Sequence, residues 1–254
     1  MILAFQNREK IKHFAEGCGA TWVDLAGINQ NTKWPMIFSG ITTNACIAQA
    51  KKYGLDWYYI DTGYFGNYKK KNYLRVLKNQ IHACGPIIMR PRDRLDKIKI
   101  DTSTIDRGKK ILIVPPDDKQ CLHYGLGSPD LWLDQTQRIV KQFTDRDIEI
   151  RQRPKSRSIR SKADRFTDML RNNINAVVTY ISSCAVDSVL HDIPVVSLGP
   201  SAACQVCTSG IELIDDLPNI DPDCKESWMK HLSYCQFTEP EMKSGLAWDL
   251  LNKV

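Results

Sequence analysis

The chain has 254 residues, 43% of them hydrophobic and 25% charged, a globular balance that excludes collagen-like, mucin-like and disordered classes. No apolar run approaches the roughly 18 residues of a membrane-spanning helix, and the apolar start before Gln6-Asn7-Arg8 is too short for a signal peptide. The net charge of +6 divides unevenly, with 16 Lys/Arg against 7 Asp/Glu in residues 1–100 and 19 against 22 in the rest, which predicts two domains with different partners.

In chain order, residues 34–38 (Trp-Pro-Met-Ile-Phe) read as a short buried strand and Ser39-Gly40 as a turn. Thr42 to Tyr53 reads as a helix stopped by Gly54. Trp57–Ile60 is a second strand, ending at Asp61-Thr62-Gly63, so this stretch is the strand–helix–strand element of a parallel sheet. Between Phe65 and Ile100 ten Lys/Arg stand against two acids. Polar residues 101–109 mark the domain boundary. Beyond it come strand Lys110–Val114, helix Asp130–Phe143 behind the capping Ser128-Pro129, and strand Ile148–Arg151. Helix Lys162–Asn172, strand Ala176–Ile181, helix Cys184–Leu190 and strand Pro194–Leu198 follow. Short apolar strands in the order β-α-β-α-β-α-β predict a doubly wound parallel sheet, which binds ligands at the carboxyl ends of its strands. In the tail, Met242, Leu246, Leu250 and Val254 recur every four residues, the pattern of one amphipathic helix over 239–254.

Nine scattered cysteines and no signal peptide imply reduced thiols in a cytosol. Cys204-x-x-Cys207 lacks the second pair a zinc site needs and reads as small buried residues.

The strand-end loops of the second half carry the candidate chemistry. Arg151–Arg160 holds five cations in ten residues at the ligand edge, which suits phosphate. Ser182 and Ser183 follow a buried strand and open a helix, a second place for phosphate. Asp187, four residues into that helix, is placed to accept bonds from ribose hydroxyls. Gly199 and Ser201 lie in a loop of small residues that admits a close ligand. No G-x-G-x-x-G or P-loop motif occurs.

The segment Ser182-Ser-Cys-Ala-Val-Asp-Ser-Val-Leu-His-Asp-Ile-Pro-Val-Val-Ser-Leu-Gly199 resembles the donor-binding segment of GT-B glycosyltransferases. The family's acid matches Asp187 and its Pro-Val matches Pro194-Val195, while the usual Gly two residues before the Pro is Asp192. Arg153-Pro154-Lys155 resembles the basic loop these enzymes place near the diphosphate. The resemblance covers roughly residues 108–205 and implies an α/β fold of two Rossmann-like domains across a cleft, with a final helix crossing back. Residues 1–106 then form a basic acceptor domain, 107–238 a donor domain, and 239–254 the returning helix. With aromatics among its cations (Tyr64, Phe65, Tyr68 and Tyr73 beside Lys69–Lys71), the chain is most similar to bacteriophage DNA-base glycosyltransferases acting on hydroxymethylpyrimidines.

That resemblance implies inverting sugar transfer from a UDP-sugar co-substrate to the hydroxymethyl group, with no metal or other cofactor and no membrane partner. Donor contacts are expected from Arg153, Lys155, Arg160, Ser182, Ser183, Asp187, Gly199 and Ser201. DNA is expected at Ser39, Tyr64, Lys69, Lys70, Lys71 and Arg75. Asp61, at a strand's carboxyl end, is the expected general base, with Asp24 and Asp56 behind it. Asp117-Asp118 lacks a partner acid at ligand spacing and reads as a loop. A surface polysaccharide or lipid-linked glycan as acceptor, and a non-catalytic nucleotide- or nucleic-acid-binding module, remain alternatives.

Overall fold

The structure, a computed structural model, describes residues 1–5, 9–23, 34–40, 44–67, 72–151 and 166–253. The chain forms two compact units. The first comprises Met1–Ala83, Met89–Ile100 and Met229–Val254, the second Cys84–Ile88 and Asp101–Trp228.

The first unit holds a six-stranded sheet of β1 (Leu3–Phe5), β2 (Thr21–Val23), β3 (Met36–Phe38), β4 (Trp57–Thr62), β5 (Leu74–Lys78) and β10 (Gln236–Phe237), in the order β10-β5-β4-β3-β1-β2. β2, β1, β3 and β4 run parallel, whereas β5 and β10 are antiparallel additions. Period-two alternation decides what each face buries. Ala4, Ile37, Tyr58 and Ile60 point to one side, where they meet Ile11 and Phe14 of α1 (Glu9–Gly17), Met242 of α8 (Glu239–Lys243) and Ala247 of α9 (Leu246–Asn252). Leu3, Phe5, Met36, Phe38, Trp57 and Tyr59 point to the other, against Ile47 and Ala50 of α2 (Asn44–Lys52). Both faces are covered, as the parallel part of the sheet requires.

The tail differs from the single helix that its four-residue repeat predicts. α8 starts on a Thr238/Glu241 capping box and stops at Ser244. Gly245 turns the chain at φ 82° before α9 begins, a left-handed conformation that glycine adopts without steric cost. Met242 and Ala247 are buried, whereas Leu246 faces solvent. Gly17 explains the close approach of α8, since a β-carbon there would collide with the Met242 carbonyl.

In the second unit β6 (Lys110–Val114), β7 (Ile148–Ile150), β8 (Ile174–Thr179) and β9 (Val195–Ser197) form a fully parallel sheet in the order β7-β6-β8-β9. A bridge from Val196 to Thr208 extends its edge. Trp132, Leu133 and Val140 of α4 (Pro129–Val140) cover Ile111, Ile113, Ala176 and Val178, while α6 (Cys184–Leu190) packs on β8 and β9. α4 begins as expected, with Ser128 Oγ accepting from Leu131 N and Pro129 in the first turn. Asp117-Asp118 is not a loop: Asp117 forms a capping box with Gln120 and opens α3 (Asp118–Tyr124). The helix expected over Lys162–Asn172 is described as α5 (Phe166–Leu170), its earlier residues lying outside the described part. α7 (Pro222–Ser233) was not expected, and the chain returns to the first unit within it.

All nine cysteines are free. Among the described residues no helix is long and apolar enough to cross a membrane.

Candidate active site

In a doubly wound sheet, ligands bind where successive crossovers diverge. In the second unit β6 connects to β7 on one side and β8 to β9 on the other, so that point lies between the carboxyl ends of β6 and β8. Thr179 Oγ1 donates to Val114 O there at 2.8 Å and ties the two strand ends together.

The residues expected to hold the donor divide into three groups. Arg153, Lys155 and Arg160 lie outside the described residues. Arg151, the first cation of their loop, is described: its guanidinium stacks on Phe166 at 4.7 Å and donates to Cys184 Sγ at 3.6 Å. Among the described residues no carboxylate lies within ion-pair distance of it. Asp187 reaches the same place from α6, where burial pushes its carboxyl up to about 7 against the opposing pull of Arg151.

The hydroxyl and glycine positions are arranged differently from expectation. Ser182 Oγ accepts from Cys184 N at 3.2 Å, so it caps α6, and the exposed Ser183 makes no capping bond. Ser201 is fully buried, its Oγ accepting from Ala203 N at 3.2 Å. That inward turn buries the hydroxyl against its own loop. Gly199 does not leave its backbone open: a β-carbon there would lie 2.6 Å from Tyr180 Cε1, because the Tyr180 ring fills the space. Tyr180 also meets Tyr124 edge-on, with centroids 5.3 Å apart. This aromatic pair at the ligand edge has no local sequence signal, since the Asp117-Asp118 stretch that opens α3 reads as a loop in sequence.

Burial pushes Cys207 up to about 12 and raises Cys204, which makes both weak nucleophiles. A separate cavity of about 280 Å³ opens beside Pro194, Val195, Cys207, Leu217, Ile220 and Cys224. Pro194-Val195 begins β9, so this cavity lies at the opposite end of the strand from the loops above.

In the first unit, Asp61 stands near the carboxyl end of β4 with Ser39 beyond β3 and Lys10 in the first turn of α1. Lys10 Nζ lies 2.6 Å from Asp61 Oδ1 and Arg75 Nη2 3.5 Å from Oδ2. Burial alone would raise the Asp61 carboxyl, but the Arg75 charge and the Lys10 bond outweigh it and hold it at about 2. A group so acidic is a weak general base. His82 is enclosed beside the pair, and burial, then the Arg75 charge, hold it well below the ordinary histidine range.

The acceptor residues are corrected too. Ser39, Tyr64 and Arg75 are buried and present no surface to a polymer. Tyr64 instead bonds inward, its OH accepting from Ala83 N at 2.9 Å. Lys69, Lys70 and Lys71, with Tyr68 and Asp24, lie outside the described residues. Among the described residues no group of three or more His, Cys, Asp or Glu is arranged to hold a metal.

The fully parallel sheet of the second unit and the mostly parallel sheet of the first form a Rossmann-like α/β fold. Two solved structures share it over nearly the whole chain. The beta Kdo 2,4 transferase of Thermosulfurimonas dismutans KpsC matches with a TM-score of 0.54 at 11% identity, covering 99% of this chain and 98% of that one. The beta Kdo 2,7 transferase of the same protein matches with a TM-score of 0.51 at 12% identity, covering 99% of each. At such identities the likeness is one of fold. No protein-family model matches the chain, and no curated protein matches it.

Proposed function

We propose that the chain is a glycosyltransferase that binds a nucleotide-activated sugar in its second unit and transfers the sugar to a hydroxyl of a glycan. One observation carries this reading. Arg151, which has no carboxylate partner among the described residues, and the half-buried Asp187 converge at the crossover point of a parallel sheet, a cation for phosphate beside an acceptor for ribose hydroxyls. Arg153, Lys155 and Arg160 follow Arg151 and add cations to the same donor, for which a UDP-sugar is the expected form. The fold shared with two Kdo transferases supports transfer of a sugar.

Asp61 enters as a carboxylate that is ionised at neutral pH. Such a group serves an anomeric centre that gains positive charge as counter-ion or nucleophile.

The second reading, transfer to a hydroxymethylpyrimidine in DNA, rests on the surplus of cations in residues 1–100. At least three of those cations are used internally, Lys10 among them through its pair with Asp61. Arg75 is buried with Asp61, and Arg94 pairs with Glu241 at 2.8 Å while donating to the Ser233 and Gln236 carbonyls. That accounting, with the sugar-acting neighbours, favours the glycan.

The test offers a mixture of nucleotide-activated sugars, Kdo included, with either glycan acceptors or hydroxymethylated duplex DNA, and follows nucleotide release and product mass. A glycan product is expected. A DNA product selects the second reading, and donor binding without transfer to any acceptor selects a non-catalytic nucleotide-binding module.

A further inference from the structure

Asp61 is held from two sides by residues of three elements. Oδ1 accepts from Lys10 Nζ at 2.6 Å and from Thr62 N at 2.8 Å. Oδ2 accepts from Tyr59 OH at 3.3 Å and Arg75 Nη2 at 3.5 Å. Lys10 comes from α1, Tyr59 from β4 itself and Arg75 from β5, and His82 lies beyond β5. The Arg75 guanidinium is braced in turn by Thr62 O at 3.3 Å and by the rings of Tyr59 and Tyr64 at 5.7 and 5.4 Å. Four donors thus fix both carboxylate oxygens, yet 31% of the Asp61 side chain stays open to solvent.

The arrangement is costly for a merely structural pair. Arg75 is 7% exposed, and its buried Nε has no hydrogen-bond partner among the described residues. Desolvating a guanidinium costs several kcal/mol, and an apolar replacement of a buried ion pair is often as stable or more so. The packing of α1 and β5 is already supplied by Ile11, Phe14 and Val76. Two cations around one anion also leave a positive surplus, which favours the ionised form of the Asp61 carboxylate and the neutral form of His82.

We propose that Lys10 and Arg75 are positioning residues, which together fix the orientation and the charge of the Asp61 carboxylate for the transfer step. The proposal rests on Asp61 being the reacting carboxylate of the function above. Neither cation need touch the sugar. Removing either leaves Asp61 in place but freer to rotate and easier to protonate.

The experiment is a carbon-13 titration of the aspartate carboxyls in the full chain, with the Asp61 signal assigned through Asp61→Asn. The wild-type signal is expected to titrate near 2. In Lys10→Met and in Arg75→Met the midpoint should rise by about one unit or more, the usual effect of a close opposite charge, and Lys10→Arg should restore most of the shift. The acid limb of the pH–rate profile for sugar transfer should rise in the same variants. Where Arg75→Met does not fold, Lys10→Met, a partly exposed helical position, decides alone. An unmoved midpoint overturns the clamp. Transfer at wild-type rate by Asp61→Asn overturns the functional use of the clamp and the role of Asp61, even if the midpoints shift, so the two failures are told apart.

Discussion

Lys225 Nζ lies 2.6 Å from Asp192 Oδ1 and 2.8 Å from Leu190 O, so one ammonium pins the turn between α6 and β9. Asp192 sits at φ 63°, in the left-handed region where the matched glycosyltransferase segment has Gly. The missing glycine is therefore compensated by bonds. Lys225 holds one carboxylate oxygen and Thr104 Oγ1 donates to the other at 2.7 Å. Asp192→Ala should lose both the bonds and the left-handed tolerance, whereas Asp192→Gly loses only the bonds. Urea denaturation should therefore place Ala below Gly by about 1 kcal/mol. Equal stabilities would show that the backbone conformation costs nothing here.

Asp187 makes stability pH-dependent in an unusual direction. Its folded carboxyl titrates at about 7 and an unfolded one near 3.9. Between those values the folded state binds the extra proton, so stability falls as pH rises from about 4 to 7 and stays low above. Asp187→Asn removes the effect. It should stabilise the protein by about 2–4 kcal/mol at pH 8 and by little at pH 4. Thermal denaturation at the two pH values checks this, and a gain of equal size at both would show that the carboxyl is solvated. Asp61 has the opposite sign: its contribution is complete above about pH 4 and is lost as pH falls towards 2.

Two glycines near the strand ends should differ in cost. At Gly108 a β-carbon would overlap the Asn173 backbone, which is fixed by bonds from Gly108 N to Ile174 O and from Lys110 N to Asn173 O. At Gly199 the obstacle is the Tyr180 ring, a side chain that can swing. Gly108→Ala should therefore destabilise by about 3 kcal/mol or more and Gly199→Ala by about 1–2. Chemical denaturation ranks them, and the reverse order would mean that the Tyr180 ring cannot move.

The sequence resolved what local pattern determines. β6 and α6 have the bounds read from it, because Lys110–Val114 is an apolar run and Ser182-Ser183 a capping signal. β1 and β2 are three residues each, too short to show alternation, and without them α1 had no visible neighbour to bury Ile11 and Phe14. Lys10 was lost with α1. Its partner Asp61 is 51 residues away, and nothing local distinguishes that lysine from other cations. Arg75 failed for a different reason. It lies in a basic stretch that composition reads as surface, whereas β5 alternation turns the side chain inward among Tyr59, Tyr64 and Asp61. The four-residue spacing of the tail does not mark one apolar face: Gly245 breaks the helix, Met242 is buried and Leu246 is exposed, and periodicity alone does not register such a break.

Arg151 tests the donor assignment most directly. It stands at the carboxyl end of β7, where its contacts among the described residues are a sulfur and an aromatic ring, and in the proposed function its charge meets the donor phosphate. A charge-assisted bond to phosphate contributes about 1.5–3 kcal/mol. Arg151→Met keeps the packing on Phe166 and removes the charge, and should weaken binding of a nucleoside diphosphate by about 10- to 100-fold in calorimetry. It should also lower the Asp187 carboxyl's acidity further, because the opposing cation is gone. The loss should shrink as salt rises, since screening reduces the wild-type advantage. Unchanged affinity would move the phosphate away from Arg151 and leave the cations of the following loop to hold it.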